Sequence, residues 1–97
     1  MPKTPDYFKN KTIFITGAAS GIGKSTAKIF AREKANVIAA DINEKGAVLT
    51  AEYVNQNGGR GLGVHCDVTN RISVENAVSK ALNSFKKIDF LFNSAGS

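Results

Sequence analysis

The sequence predicts an α/β fold: about four parallel strands in the order 3-2-1-4, half of a doubly wound sheet with flanking helices. Three observations point to it. Apolar runs of strand length alternate with stretches of helical period along the 97 residues. The strand candidates are near-continuously apolar, as in a sheet covered on both faces. Consecutive strands are separated by helices, so they run parallel through crossovers whose fixed hand leaves few topologies.

The first strand is Thr12–Thr16 (TIFIT), β-branched and aromatic, closed by Gly17. After a glycine-rich turn, Ile22, Thr26, Ile29 and Phe30 fall at helical spacing and mark the expected inner face of the first helix. Asn36–Ala40 (NVIAA) is the second strand, ending at Asp41. Ala47, Val48, Ala51 and Val54 mark the second helix, with Asn57-Gly58-Gly59 as its stop. The third strand is expected over Leu62–Val68, weakened by Gly63. Val74, Ala77, Val78, Ala81, Leu82 and Phe85 give the cleanest helical period in the chain, and Ile88–Phe92 (IDFLF) is the fourth strand. No repeat or low-complexity linker interrupts this order, so residues 12–97 read as one domain preceded by a lead-in over residues 1–11.

Composition excludes several function classes. Apolar residues make up 42% of the chain, enough for a core, yet no run approaches the roughly 20 apolar residues of a membrane span. The formal net charge of +5 is spread along the sequence, whereas nucleic-acid proteins concentrate theirs on one face or in one run, so no nucleic-acid partner is expected. The start, MPKTPDYFKNK, lacks the apolar stretch of a secretory signal. A single cysteine, Cys66, rules out an intramolecular disulfide and fits a reducing, cytoplasmic setting. No metal-ligand cluster is evident.

The segment TGAASGIGKST, residues 16–26, carries the chemistry. A triphosphate loop requires G-x-x-x-x-G-K-[ST], and counting back from Gly23-Lys24-Ser25 the first glycine should stand where Ala18 does. Gly17 lies one position too early, which leaves a triphosphate hydrolase as a remote alternative. A dinucleotide site fits the spacing better. Gly17 would make the tight turn leaving the first strand; Gly21 and Gly23 would let backbone approach the ligand and the helix pack on the sheet. The helix N-terminus then faces a pyrophosphate. The plain alternative is a glycine-rich strand-to-helix turn without a ligand. Asp41 lies 20 residues after Gly21, where an acid can hydrogen-bond ribose hydroxyls; its alternative role is a helix N-cap. An acid there repels a 2′-phosphate, and neither Ile42 nor Ala18-Ala19-Ser20 supplies a compensating positive charge. NAD is therefore expected in preference to NADP.

With these residues in place, the chain resembles the short-chain dehydrogenase/reductase family over nearly all of its length. Thr16-Gly17-Ala18-Ala19-Ser20-Gly21-Ile22-Gly23 is similar to that family's TGxxxGIG signature, and Asp41 to its acidic residue for NAD. Cys66-Asp67-Val68-Thr69 resembles the segment in which the Asp and the following residue hold the adenine ring. Asn93-Ser94-Ala95-Gly96 is similar to the NNAG motif, with Ser94 in place of the second Asn. The resemblance implies a partial Rossmann domain binding NAD(H) through Gly17, Ser20, Gly21, Ile22, Gly23, Asp41, Ile42, Asp67, Val68, Asn93, Ala95 and Gly96. Within the family the pattern looks like the 3-oxoacyl carrier-protein reductases and related secondary-alcohol dehydrogenases.

The same resemblance implies that the family's catalytic Ser and Tyr-x-x-x-Lys pair follow the NNAG motif, so no catalytic residue is expected among these 97. Tyr7 and Lys11 have that spacing but precede the first strand, at the end of the sheet opposite the ligand edge. His65 reads as a packed or partly exposed residue of the third strand, and Cys66 as a small core residue. The chain is thus expected to be the cofactor half of an oxidoreductase, inactive alone; a non-catalytic nucleotide-binding or interaction module is the alternative. The fourth strand would form an open sheet edge, from which self-association is expected.

Overall fold

Strand β1 (Thr12–Thr16) is buried along its whole length, and the rest of the molecule is arranged around it. The computed structural model describes residues 6–95. In chain order β1 is followed by α1 (Gly21–Arg32), β2 (Asn36–Asp41), α2 (Glu44–Gln56), β3 (Arg60–His65), α3 (Arg71–Phe85) and β4 (Phe90–Asn93). The strands form one sheet in the order β3-β2-β1-β4, every pair parallel, as the sequence predicts.

Alternate residues of the central strands feed two cores, because successive side chains leave opposite faces. Ile13 and Ile15 of β1 and Val37 and Ala39 of β2 pack with α1 and α2. Phe14, Ile38 and Ala40 pack with α3 and with Val64 of β3. Both faces of β1 and β2 are therefore covered, which is why these strands read as continuous apolar runs. Among the described residues no helix is long and apolar enough to cross a membrane.

The inner face of α1 differs from the expected one. Ile22 and Ile29 are exposed, at 69% and 55%, while Gly23, Ala27 and Ala31 are buried. The helix seats on its small side chains, which bring its backbone close to the sheet face formed by Ile13, Ile15, Val37 and Ala39. In α2, Ala47, Ala51 and Val54 are buried as expected, whereas Val48 is partly exposed and Thr50 takes an inward position. β3 begins and ends earlier than expected. Its glycines are the reason for the early start: a Cβ at Gly63 would lie 2.7 Å from Val48 Cα, so the strand passes directly under the α2 backbone. The chain leaves the sheet after His65, although the Cys66 N–H still donates to the Asp41 carbonyl (2.9 Å). β4 likewise starts at Phe90 and not at Ile88, because Ile88 packs beside α3.

The described part of the lead-in, residues 6–11, packs against the amino ends of the strands. Phe8 meets Phe30 edge-on at 5.0 Å between centroids and Phe90 at 5.9 Å. Lys11 lies over the Tyr7 ring at 5.7 Å, so this pair is engaged with itself at the end remote from the strands' carboxyl edge. At the same end Asp89 clips β4 to β1. Its N–H donates to the Thr12 carbonyl, and its carboxylate accepts the Thr12 N–H, each at 2.8 Å. Lys87 Nζ stands 3.2 Å from the same carboxylate oxygen. The Thr12 N–H, and after it Lys87, hold the Asp89 carboxyl below its ordinary range.

Two outcomes are expected. Gly63→Ala gains at most about 1 kcal/mol from a stiffer unfolded chain, but the methyl group meets backbone that cannot rotate away, which costs about 1–3 kcal/mol. The net change in urea unfolding is therefore destabilising; a more stable variant would refute the close seating of α2. Because the Asp89 pKa is lowered on folding, its stabilisation is present above the unfolded carboxylate pKa and disappears as pH falls through the folded value. Asp89→Asn should flatten that acidic limb of the stability–pH curve while leaving the neutral-to-basic limb parallel to the parent.

Candidate functional site

A cleft of about 540 Å³ opens where the carboxyl ends of β1, β2 and β3 meet the loop after β4. That is the expected location for a ligand in an open parallel sheet, at the point where the strand order reverses, here between β1 and β4. From the first glycine segment Gly17, Ser20, Gly21 and Ile22 line it; from the end of β2, Asp41 and Ile42. Asp67 and Val68 contribute from the loop after β3, and Ala95 from the loop after β4. Three residues that the sequence reading had not placed among the site residues also line it: Cys66, Thr69 and Ser94.

Gly17 stands at φ +68°, and a Cβ there would lie 2.7 Å from Ser94 Oγ and 2.9 Å from the Ala95 nitrogen. Gly21 is at φ +58° but faces open space, so its requirement is conformational alone. Gly23 is buried behind the cleft wall and does not line it; a Cβ there would overlap the Gly17 carbonyl and reach 2.6 Å from Ser94 Oγ. The turn and the first turn of α1 are thus pressed together with no room for a side chain between them.

The N-terminus of α1 differs from those of its neighbours. Asn43 caps α2 by accepting the Gly46 N–H (3.1 Å), and Asn70 caps α3 by accepting the Ser73 N–H (3.0 Å). Ser20 holds the N-cap position of α1 in extended backbone, but its side chain makes no capping bond, and no acid occupies the first turn. Lys24 is the residue whose N–H first returns to the helix, to the Ser20 carbonyl at 3.3 Å. The preceding donors and the positive end of the helix face the cleft, an arrangement suited to an anion. A favourable charge at such a terminus contributes about 0.3–1 kcal/mol before its hydrogen bonds are counted.

Two carboxylates line the same cleft. Asp41 Oδ2 accepts the Ala19 N–H and Oδ1 the Asn43 N–H, both at 2.9 Å. The N-cap of α2 is Asn43, so Asp41 is not held there as a cap. Each of its oxygens retains a lone pair for a further donor. Asp67 Oδ1 accepts both the Thr69 hydroxyl (2.7 Å) and the Thr69 N–H (3.0 Å), and these bonds hold its carboxyl below the ordinary range. Burial, and then the neighbouring Asp67 charge, push the Cys66 thiol up. Near neutral pH Asp67 is ionised and Cys66 protonated, so neither is poised to exchange a proton. Thr69 was legible in principle, since Asp-x-Thr is a common self-bonded turn.

At the end of β4 the Thr16 hydroxyl donates to Asn93 Oδ1 (2.6 Å) and the Ser94 hydroxyl to the Thr16 carbonyl (2.7 Å). Asn93 does not line the cleft; it faces an apolar crevice between α3 and β4. Gly96 lies outside the described residues. Among the described residues no group of three His, Cys, Asp or Glu side chains could hold a metal ion.

A sequence profile of the short chain dehydrogenase family matches residues 11–97. The chain is 43% identical over 88 residues to the uncharacterized oxidoreductase YxbG of Bacillus subtilis, covering 91% of this chain and 32% of that protein. It is also 43% identical over 88 residues to a mitochondrial borneol dehydrogenase of Lavandula x intermedia, again covering 91% of this chain and 32% of the relative. A crystal structure of hydroxysteroid dehydrogenase from Escherichia coli superposes with a TM-score of 0.89 at 33% identity, covering 96% of this chain and 40% of that one. The chain spans about a third of the length of the curated relatives it matches.

The two helix-start glycines should respond differently to substitution. Gly21→Ala carries only the left-handed backbone cost of about 1–2 kcal/mol. Gly23→Ala forces the turn and α1 apart and should cost about 3 kcal/mol or more, beyond ordinary overpacking. Urea unfolding of both variants measures the difference; equal losses would show that the contact with the Gly17 carbonyl is not what fixes Gly23.

Proposed function

The chain belongs to the short-chain dehydrogenase family, and on that premise we propose that it is the NAD(H)-binding N-terminal portion of an oxidoreductase acting on alcohol and carbonyl groups. The observation that carries this reading is the uncapped, acid-free start of α1 facing Asp41 across one cleft. The N–H groups after Ser20 would hold the pyrophosphate, with Gly17 and Gly21 allowing close approach. Asp41 would accept the adenosine ribose hydroxyls with its remaining lone pairs, and Asp67 with Val68 would hold the adenine. Bound there, the dinucleotide supplies or accepts hydride. The residues that move the proton are assigned outside these 97 residues, since in the cleft Asp67 is a committed anion, Cys66 a buried thiol, and Asp41 is engaged by the Ala19 and Asn43 N–H groups. Relatives named as borneol and hydroxysteroid dehydrogenases support an alcohol or carbonyl substrate class. A cytoplasmic setting fits the single free thiol.

NAD is preferred to NADP on electrostatic grounds. A 2′-phosphate would meet the Asp41 carboxylate, and the neighbouring cleft residues Ile42, Ser20 and Gly21 offer no cation.

Titration of the chain with NADH and NADPH, followed by nucleotide fluorescence, tests the assignment. NADH should bind, and Asp41→Ala should weaken it about tenfold to a hundredfold, the range for losing one charged hydrogen-bond acceptor. Binding of ATP–magnesium that depends on Lys24, with no response to NADH, would overturn the reading.

A further inference from the structure

Thr50 lies on α2, outside every motif that the nucleotide cleft uses, and is 1% exposed. A threonine inside a helix ordinarily turns its hydroxyl back to the carbonyl one turn earlier. Thr26 of α1 does so, donating to the Ile22 carbonyl at 2.8 Å. Thr50 does not. Its hydroxyl leaves the helix and donates to the Ala18 carbonyl at 2.9 Å, a fully buried bond across 32 residues of sequence. Ala18 is itself fully buried and sits between Gly17 and Ala19 in the turn that leads to α1. From β2, the Ala40 carbonyl accepts the Ala18 N–H (3.1 Å) and Asp41 accepts the Ala19 N–H (2.9 Å). The first turn of α2 presses on the same segment, since a Cβ at Gly46 would stand 2.6 Å from Ala19 Cβ.

We infer that Thr50 is a positioning residue for the dinucleotide site: its hydroxyl fixes the 17–19 turn from behind, so that the N–H groups at the start of α1 are held ready for the pyrophosphate. This rests on the dinucleotide reading above. A buried carbonyl seeks a donor, and Thr50 supplies the side-chain donor that reaches Ala18 from α2. Without it the carbonyl is satisfied only if the turn moves, and that movement is transmitted to the adjoining glycine segment. At the adenosine end Asp67 is held by Thr69 of its own loop and does not depend on this bond, whereas Asp41 is tied to the turn through the Ala19 N–H alone.

The test compares the parent chain with Thr50→Val, which keeps the shape and removes the hydroxyl, and Thr50→Ser, which keeps the hydroxyl. Affinities for NADH, ADP and adenosine are measured by calorimetry well below the unfolding midpoint of each variant. Thr50→Val should weaken NADH and ADP about fivefold to tenfold, as for one lost hydrogen bond, and adenosine by clearly less, since its only link to the turn is the Ala19–Asp41 bond. Thr50→Ser should restore the parent values. Equal loss for adenosine, no loss for ADP, or failure of Ser to rescue would each overturn the inference. A ligand-free readout separates it from the dinucleotide reading itself. Amide exchange at Ala18 and Ala19, relative to Ile13 and Ile15 of β1, should accelerate about fivefold or more in Thr50→Val and not in Thr50→Ser. If the parent chain binds neither NADH nor ADP, the proposed function fails, and an unchanged exchange ratio would then refute the Thr50 latch independently.

Discussion

The structure depends on one steric constraint: no side chain can stand between the Gly17 carbonyl, Gly23 and Ser94. A Cβ at residue 23 would overlap that carbonyl, and one at residue 17 would collide with Ser94 and Ala95. Three elements meet there: the exit of β1, the first turn of α1 and the exit of β4. Their contact sets the direction in which α1 leaves the sheet, and hence where its free N–H groups point. Ser94, standing where related motifs carry a second Asn, joins the arrangement through its bond to the Thr16 carbonyl.

The same preference for close approach runs through the whole first face. The core shared by α1, α2 and the sheet is built largely from alanine, with Ala27, Ala31, Ala39, Ala47 and Ala51 all buried. β3 passes beneath α2 on glycine. Small residues bury less apolar area each than leucine or isoleucine, but they let backbones meet and leave few voids. The larger side chains are placed on the central strands and at the edges, where Phe8, Phe30 and Phe92 close the rim of this core. Tight helix seating has a functional consequence, because it carries α2, and with it Thr50 and Asn43, to within hydrogen-bond reach of the cleft wall.

Electrostatics divides the cleft into two ends. At one end backbone donors are left without acceptors; at the other, the Asp67 carboxylate is held ionised by donors of its own loop, and Asp41 accepts the Ala19 and Asn43 N–H groups. Neither end relies on a charged side chain from elsewhere in the fold. The scattered lysines that give the chain its net charge of +5 take no part in lining this cleft. Such an arrangement is suited to a ligand carrying both an anionic and a hydroxyl- or amine-bearing part, as proposed above.

Much of this was legible in the sequence. Strand order, parallel pairing and the glycine turn follow from local patterns: apolar runs of strand length, helical periods between them, and glycines at fixed offsets from a strand end. Nine of the twelve expected site residues line the cleft, since motif spacing encodes which strand ends come together. What failed was anything depending on the distance between packed backbones. Ile22 and Ile29 were expected inside and lie outside, because α1 rests on Gly23, Ala27 and Ala31. β3 was expected to be weakened by Gly63, yet that glycine, like Gly61, is where α2 passes directly over the strand. Asn93 belongs to the strand-four motif but turns to the Thr16 hydroxyl, away from the cleft. Thr50 carried no signal, because its partner is 32 residues away and a lone helical threonine ordinarily bonds its own helix. The sequence by itself determined the order of elements and the chemistry available at the strand ends, both of which are local properties of the chain. Only the tertiary structure decided which helix face is buried and which hydroxyl holds the turn, because those depend on how closely separate backbones can approach.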